Sequence, residues 1–115
     1  MVDKPNILVV CGKNKIRSRT AEYTFKNDSR FNIRSVGLRT KSERRISDKD
    51  ILWADIILVM EDGYKAWILG PFRHLDLPPI EVLGIMDDYE YLDSELIALL
   101  TERINDTLRI KFKIK

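Results

Sequence analysis

The chain has 115 residues, the length of one domain and short of two. Hydrophobic residues make up 44%, enough for a core, while a net charge of +2 is too small to indicate nucleic-acid binding by itself. One cysteine excludes an intrachain disulfide, residues 1 to 6 are polar, and no apolar run approaches membrane-spanning length, so the expectation is a single cytoplasmic domain (1–115) without a membrane or nucleic-acid partner.

Residues 6 to 11 form the first predicted strand, because Ile7-Leu8-Val9-Val10 is a continuous aliphatic run that ends on Cys11. A polar loop follows, and residues 17 to 27 read as a helix that Asn27-Asp28-Ser29 stops. Residues 31 to 36 alternate apolar and polar, the pattern of a second strand, which Gly37 breaks. Residues 38 to 45, LRTKSERR, are a basic loop, more plausibly a solvated surface than a specific reader, yet expected near the rim of any site at Cys11. Ser47 is a candidate N-cap for a short helix to Trp53, with Asp48 and Asp50 in its first turn. Residues 56 to 60, all apolar, suit a central strand. Residues 62 to 69 read as a helix with Tyr64, Trp67 and Ile68 inward, stopped by Gly70-Pro71. Residues 75 to 79 are a linker, 80 to 83 a fourth strand, and 84 to 95 an acidic loop. Leu96, Ile97, Leu99, Leu100, Ile104 and Leu108 make a helical stripe within 94 to 110, and the basic KFKIK tail has no assigned role. Alternating strands and helices predict an α/β fold: a three-layer sandwich with a parallel sheet covered by helices on both faces.

The chemistry lies in residues 11 to 18. A cysteine at the carboxyl end of a strand, a short loop and an arginine at a helix start suit a phosphate-like dianion. Backbone N–H groups of Gly12, Lys13, Asn14, Lys15, Ile16 and Arg17 can converge on the anion, and the helix N-terminus adds donors. Arg17 can supply a bidentate fork. A positive environment favours the thiolate of Cys11, which is the nucleophile. Together these imply phosphoryl transfer through phosphocysteine. A proton donor for the leaving oxygen is then needed. Asp87 and Asp88, after the fourth strand, belong to the same sheet edge as Cys11. Plainer readings stand beside these: a lone cysteine ending a strand is most often a buried hydrophobe, and the acidic pair could cap a helix. His74, the one histidine, is read as a surface residue, Trp53, Trp67 and Tyr64 as core, and Tyr23 and Tyr91 have no role.

The segment from Cys11 to Ser18 resembles the C-x5-R-S phosphate loop of the low-molecular-weight protein tyrosine phosphatases, and Asn14 matches the asparagine of their C-x-G-N-x-C-R-S pattern. Lys13, Ile16 and Arg19 depart from it, replacing a glycine, a second cysteine and a common proline. The nearest likeness is to a short bacterial-type subgroup of predicted protein tyrosine phosphatases. Asp87-Asp88-Tyr89 resembles the family's D-P-Y/F motif, with Asp88 in place of proline. The resemblance implies a phosphotyrosine phosphatase I-like sheet of strand order 2-1-3-4. It implies Cys11 as nucleophile, Arg17 as phosphoryl binder and Asp87 as general acid, and it implies Tyr89 on the pocket wall. It also implies that Asn14 holds the loop and that Ser18 hydrogen-bonds the thiolate. Asp88 could be the acid instead, or act on Asp87 as a neighbouring like charge. Without the second loop cysteine, the family's protective disulfide cannot form. The expected partners are a phosphorylated protein or small aryl phosphate, with phosphate, sulfate or vanadate as site ligands; no cofactor or metal is expected. The alternatives are a phosphate-binding module without turnover, an arsenate reductase, which would need further cysteines, and a phosphocarrier subunit of sugar transport.

Overall fold

The computed structural model describes residues 4–114. Four strands, β1 (Asn6–Cys11), β2 (Asn32–Gly37), β3 (Ile56–Val59) and β4 (Ile80–Val82), alternate with four helices, α1 (Arg17–Phe25), α2 (Asp48–Trp53), α3 (Asp62–Leu69) and α4 (Ser94–Phe112). The sheet has the order β2-β1-β3-β4, and every pair is parallel.

The aliphatic runs explain the layering. A strand sends successive side chains to opposite faces, so a sheet covered on both sides needs apolar residues at every position. In β1, Ile7, Val9 and Cys11 enter one core cluster, and Leu8 and Val10 enter the other. In β3, Ile56 and Leu58 join the first, Ile57 and Val59 the second. The first cluster is closed by Ala21 and Phe25 of α1 and by Leu96, Leu100, Ile104 and Leu108 of α4. That last set recurs every fourth residue, the stripe expected of a helix lying on a sheet. The second cluster is closed by Ile51 of α2 and Ile68 of α3. Each fully buried aliphatic side chain contributes about 1.5–3 kcal/mol of transfer free energy.

Caps set several boundaries. The Asp50 carboxylate accepts from the Ser47 N–H at 2.9 Å and from its hydroxyl at 3.0 Å, which starts α2. Asp93 accepts from the Glu95 N–H at 2.8 Å at the start of α4. Lys113 ends α4 in a left-handed conformation, and Ile114 N–H closes the turn on the Leu108 carbonyl at 3.1 Å. The KFKIK segment is therefore largely the last turn and cap of α4; Lys115 lies outside the described residues, as do residues 1–3 of the polar N-terminal stretch.

Other differences from the sequence reading are local. Gly37 does not break the second strand but ends it, in register with Cys11. Phe31 precedes the strand and is buried against Phe25, ring centroids 5.4 Å apart. Helix α1 stops at Phe25, β3 at Val59 and β4 at Val82. Trp67 is not core: it is 49% exposed, because α3 turns only Ile68 fully inward. Tyr64 is half-buried between the two layers, and Trp53 is half-buried beneath the Arg34 guanidinium, which lies 4.2 Å from its ring centroid. No helix among the described residues is long and apolar enough to cross a membrane.

Candidate active site

In a parallel sheet all carboxyl ends face one edge, so the segments after β1, β3 and β4 meet there. Cys11 closes β1 and is 3% exposed. The chain then turns through Gly12–Ile16 into α1. Asn14, at φ 57°, takes the left-handed conformation that asparagine tolerates better than most non-glycine residues. Its buried amide donates from Nδ2 to Ser18 Oγ at 2.9 Å, and Ser18 Oγ lies 2.9 Å from Cys11 Sγ. Since Ser18 accepts from Asn14, its own proton is free to point at the sulfur, an arrangement that stabilises negative charge there.

The carbonyls of this loop are occupied on the other side. Cys11, Gly12 and Lys13 oxygens accept from the N–H groups of Leu38 (3.0 Å), Arg39 (2.9 Å) and Glu43 (3.2 Å). Among the described residues, none of the N–H groups from Gly12 to Arg17 donates to a protein acceptor. The loop thus keeps a row of donors for an anion. It lines a cavity of about 450 Å³ with Cys11, Arg17, Arg39, Tyr64 and Asp87.

Arg17 is 4% exposed and held from three directions. Its Nη1 donates to Glu61 Oε2 and to the Ile85 carbonyl, both at 2.7 Å. Its Nη2 donates to Tyr64 Oη at 3.2 Å, and its Nε lies 3.9 Å from Asp87 Oδ1. The Nη1 contacts fix the guanidinium plane, leaving the Nε–Nη2 edge beside the cavity residues Asp87 and Tyr64. That edge can grip two oxygens of one phosphoryl group. Burial opposes the charge on Arg17, but the hydrogen bonds to Glu61 and Tyr64 and the charge of Asp87 outweigh it, so its pKa is raised. The Arg17 hydrogen bond holds Glu61 below the ordinary glutamate value. Burial pushes the Tyr64 phenol up, so it stays protonated.

Of the residues expected at the site, Cys11, Gly12, Lys13, Lys15, Ile16, Arg17 and Asp87 line this cavity, while Asn14 and Ser18 lie buried beneath it. Asp88 and Tyr89 do not line it. Tyr89 packs half-buried against the first core cluster. Tyr64 occupies the wall instead. Among the described residues no group of three or more His, Cys, Asp or Glu is placed to hold a metal ion. Sequence reasoning missed Glu61 and the site position of Tyr64, whereas Arg39 belongs to the basic loop expected near the rim. The available signal was Glu61-Asp62 directly after a central strand, since that position must fall at the sheet edge that carries Cys11.

No family model matches the sequence, and no curated protein matches it. Solved structures do match. YwlE arginine phosphatase from Geobacillus stearothermophilus is 20% identical over 93% of this chain and 94% of its own, with a TM-score of 0.70. SP-PTP, a low molecular weight protein tyrosine phosphatase from Streptococcus pyogenes, is 19% identical over 90% and 91%, with a TM-score of 0.73. A thioredoxin-dependent arsenate reductase from Corynebacterium glutamicum is 18% identical over 96% of this chain and 64% of its own, with a TM-score of 0.67. With the strand order β2-β1-β3-β4, these likenesses establish that the chain has the fold of the low-molecular-weight protein tyrosine phosphatases.

Proposed function

We propose that the chain is a cysteine-dependent phosphatase that hydrolyses phosphotyrosine or similar phosphate monoesters through phosphocysteine. The observation that carries this reading is that Cys11 and Arg17, from the ends of the β1–α1 loop, and Asp87, from the segment after β4, line one cavity whose loop keeps its backbone donors free. The Cys11 thiolate attacks phosphorus, the P–O ester bond breaks, and the Asp87 carboxylic acid gives its proton to the leaving oxygen. The loop N–H groups and the Nε–Nη2 edge of Arg17 take up the charge on the equatorial oxygens. Asp87, now a carboxylate, accepts a proton from water as the water oxygen attacks phosphorus. The P–S bond breaks, Ser18 donates a hydrogen bond to the departing sulfur, and inorganic phosphate leaves. The position of Asp87 on the cavity, with Asp88 off it, supports Asp87 as the acid. Arsenate reduction through a thiol relay fits less well, since Cys11 is the only cysteine.

The test is hydrolysis of a chromogenic aryl phosphate from pH 5 to 8. Wild type should turn over, Cys11→Ser should be inactive, and Asp87→Asn should lose about 10²–10⁴-fold, much more than Asp88→Asn. A larger loss in Asp88→Asn would move the acid by one residue. Vanadate binding without turnover would leave a phosphate-binding module and end the enzyme reading.

A further inference from the structure

We propose that the phosphate cavity adjoins a basic and apolar groove that binds acidic residues flanking the phosphorylated side chain of a protein substrate. This deepens the phosphatase reading and rests on it. The groove, of about 730 Å³, runs between residues 38–46 and the end of α3 with the turn beyond it. Lys13 and Arg39 line both the groove and the phosphate cavity, so the two adjoin. Arg39 spans the junction. Its Nε would lie 3.3 Å from a Cβ placed on Gly12, and its guanidinium carbon is 5.9 Å from the Trp67 ring centroid.

Charge identifies the occupant. Lys13, Arg39, Lys41 and Arg45 line the groove, and among the described residues no Asp or Glu does. None of these four cations forms a salt bridge among the described residues. A chain with a net charge of only +2 therefore gathers four uncompensated cations at one recess beside its phosphate site. Carboxylates complement them. The second feature is apolar: Trp67, half open to water, and Phe72 form one wall. Charge alone would suit any polyanion. An aromatic wall next to it suits a peptide carrying acidic side chains together with an aliphatic or aromatic one.

The test separates the groove from the chemistry. The Cys11→Ser protein, which cannot turn over, is titrated calorimetrically with two phosphotyrosine peptides that share a leucine and differ in flanking glutamates or lysines. The glutamate peptide should bind about tenfold tighter, with a preference that shrinks as salt rises. Lys41→Glu with Arg45→Glu, both outside the phosphate cavity, should abolish the preference while phenyl phosphate binds as before. Lys41→Ala with Arg45→Ala serves the same purpose if the reversal fails to fold. Trp67→Ala should weaken both peptides alike. Equal affinities with phenyl phosphate still bound overturn the inference, as does an oligonucleotide that outcompetes the glutamate peptide. Failure of phenyl phosphate to bind overturns the phosphatase reading and this inference with it, and that control tells the two failures apart.

Discussion

Glu61→Gln tests whether the Arg17 clamp matters to catalysis. Arg17 Nη1 has two acceptors at 2.7 Å, Glu61 Oε2 and the Ile85 carbonyl. A hydrogen bond to a charged group contributes about 1.5–3 kcal/mol. The Glu61 side chain is 45% exposed, so solvent screening places it at the low end of that range. Glutamine still offers a neutral acceptor, worth about 0.5–1 kcal/mol. The net loss is then about 1 kcal/mol, a fall of about fivefold in kcat/KM for an aryl phosphate. Its pH dependence is the sharper readout. The Arg17 hydrogen bond keeps Glu61 below the ordinary glutamate value, so the carboxylate is charged throughout pH 5 to 8. Its contribution is present above the unfolded pKa and is lost only as pH falls through the folded pKa, which lies below the ordinary glutamate value. Glu61→Gln should therefore lower the pH–rate curve evenly from pH 5 to 8 without moving its limbs. Asp87→Asn, which removes the proton donor, should reshape the curve. Wild-type kcat/KM in Glu61→Gln, or a displaced limb between pH 5 and 8, would refute the clamp.

Three further outcomes follow from the geometry. Ser18→Ala removes the hydroxyl 2.9 Å from Cys11 Sγ, so phosphocysteine breakdown should slow by about ten- to a hundredfold, seen as a pre-steady-state burst of aryl alcohol with a lower kcat. Gly37→Ala places a Cβ 2.8 Å from the Asn14 backbone nitrogen and closer still to Ser42 Oγ; overpacking of about 1–3 kcal/mol should lower the urea midpoint and weaken vanadate binding together. Leu100→Ala, at a fully buried position of α4, should cost about 2–5 kcal/mol in urea unfolding, while kcat of the folded protein stays the same.

The parts of the site that sequence made legible are those contained in one local segment. Cys11, Asn14, Arg17 and Ser18 fall within eight residues, so their types and spacing already imply a loop between strand and helix. Asp87 was reachable because any residue after a parallel strand lands at the same edge. Glu61 and Tyr64 come from 44 and 47 positions beyond Arg17 and meet it only through the β1–β3 pairing. Trp67 was misread as inward because an eight-residue helix has too few turns to show which apolar positions face inward, whereas Tyr64 does pack on both clusters and its hydroxyl also reaches the site. Strand order was beyond periodicity altogether: β1 and β3 are equally aliphatic, and only the resemblance distinguished 2-1-3-4 from other arrangements.

The three carbonyl bonds from Cys11, Gly12 and Lys13 to residues 38, 39 and 43 also bear on how such a chain can diverge. They tie the loop that carries Cys11 to the segment that lines the proposed substrate groove, rung by rung. Inserting or deleting one residue between Leu38 and Glu43 would slip those rungs and carry Gly12 and Lys13 with them. Thr40, Lys41 and Arg45 are exposed along the groove and can change without disturbing those backbone bonds. A lineage built this way can alter its preferences by point substitution on a loop of fixed length, whereas a change of loop length would reach the nucleophile at once.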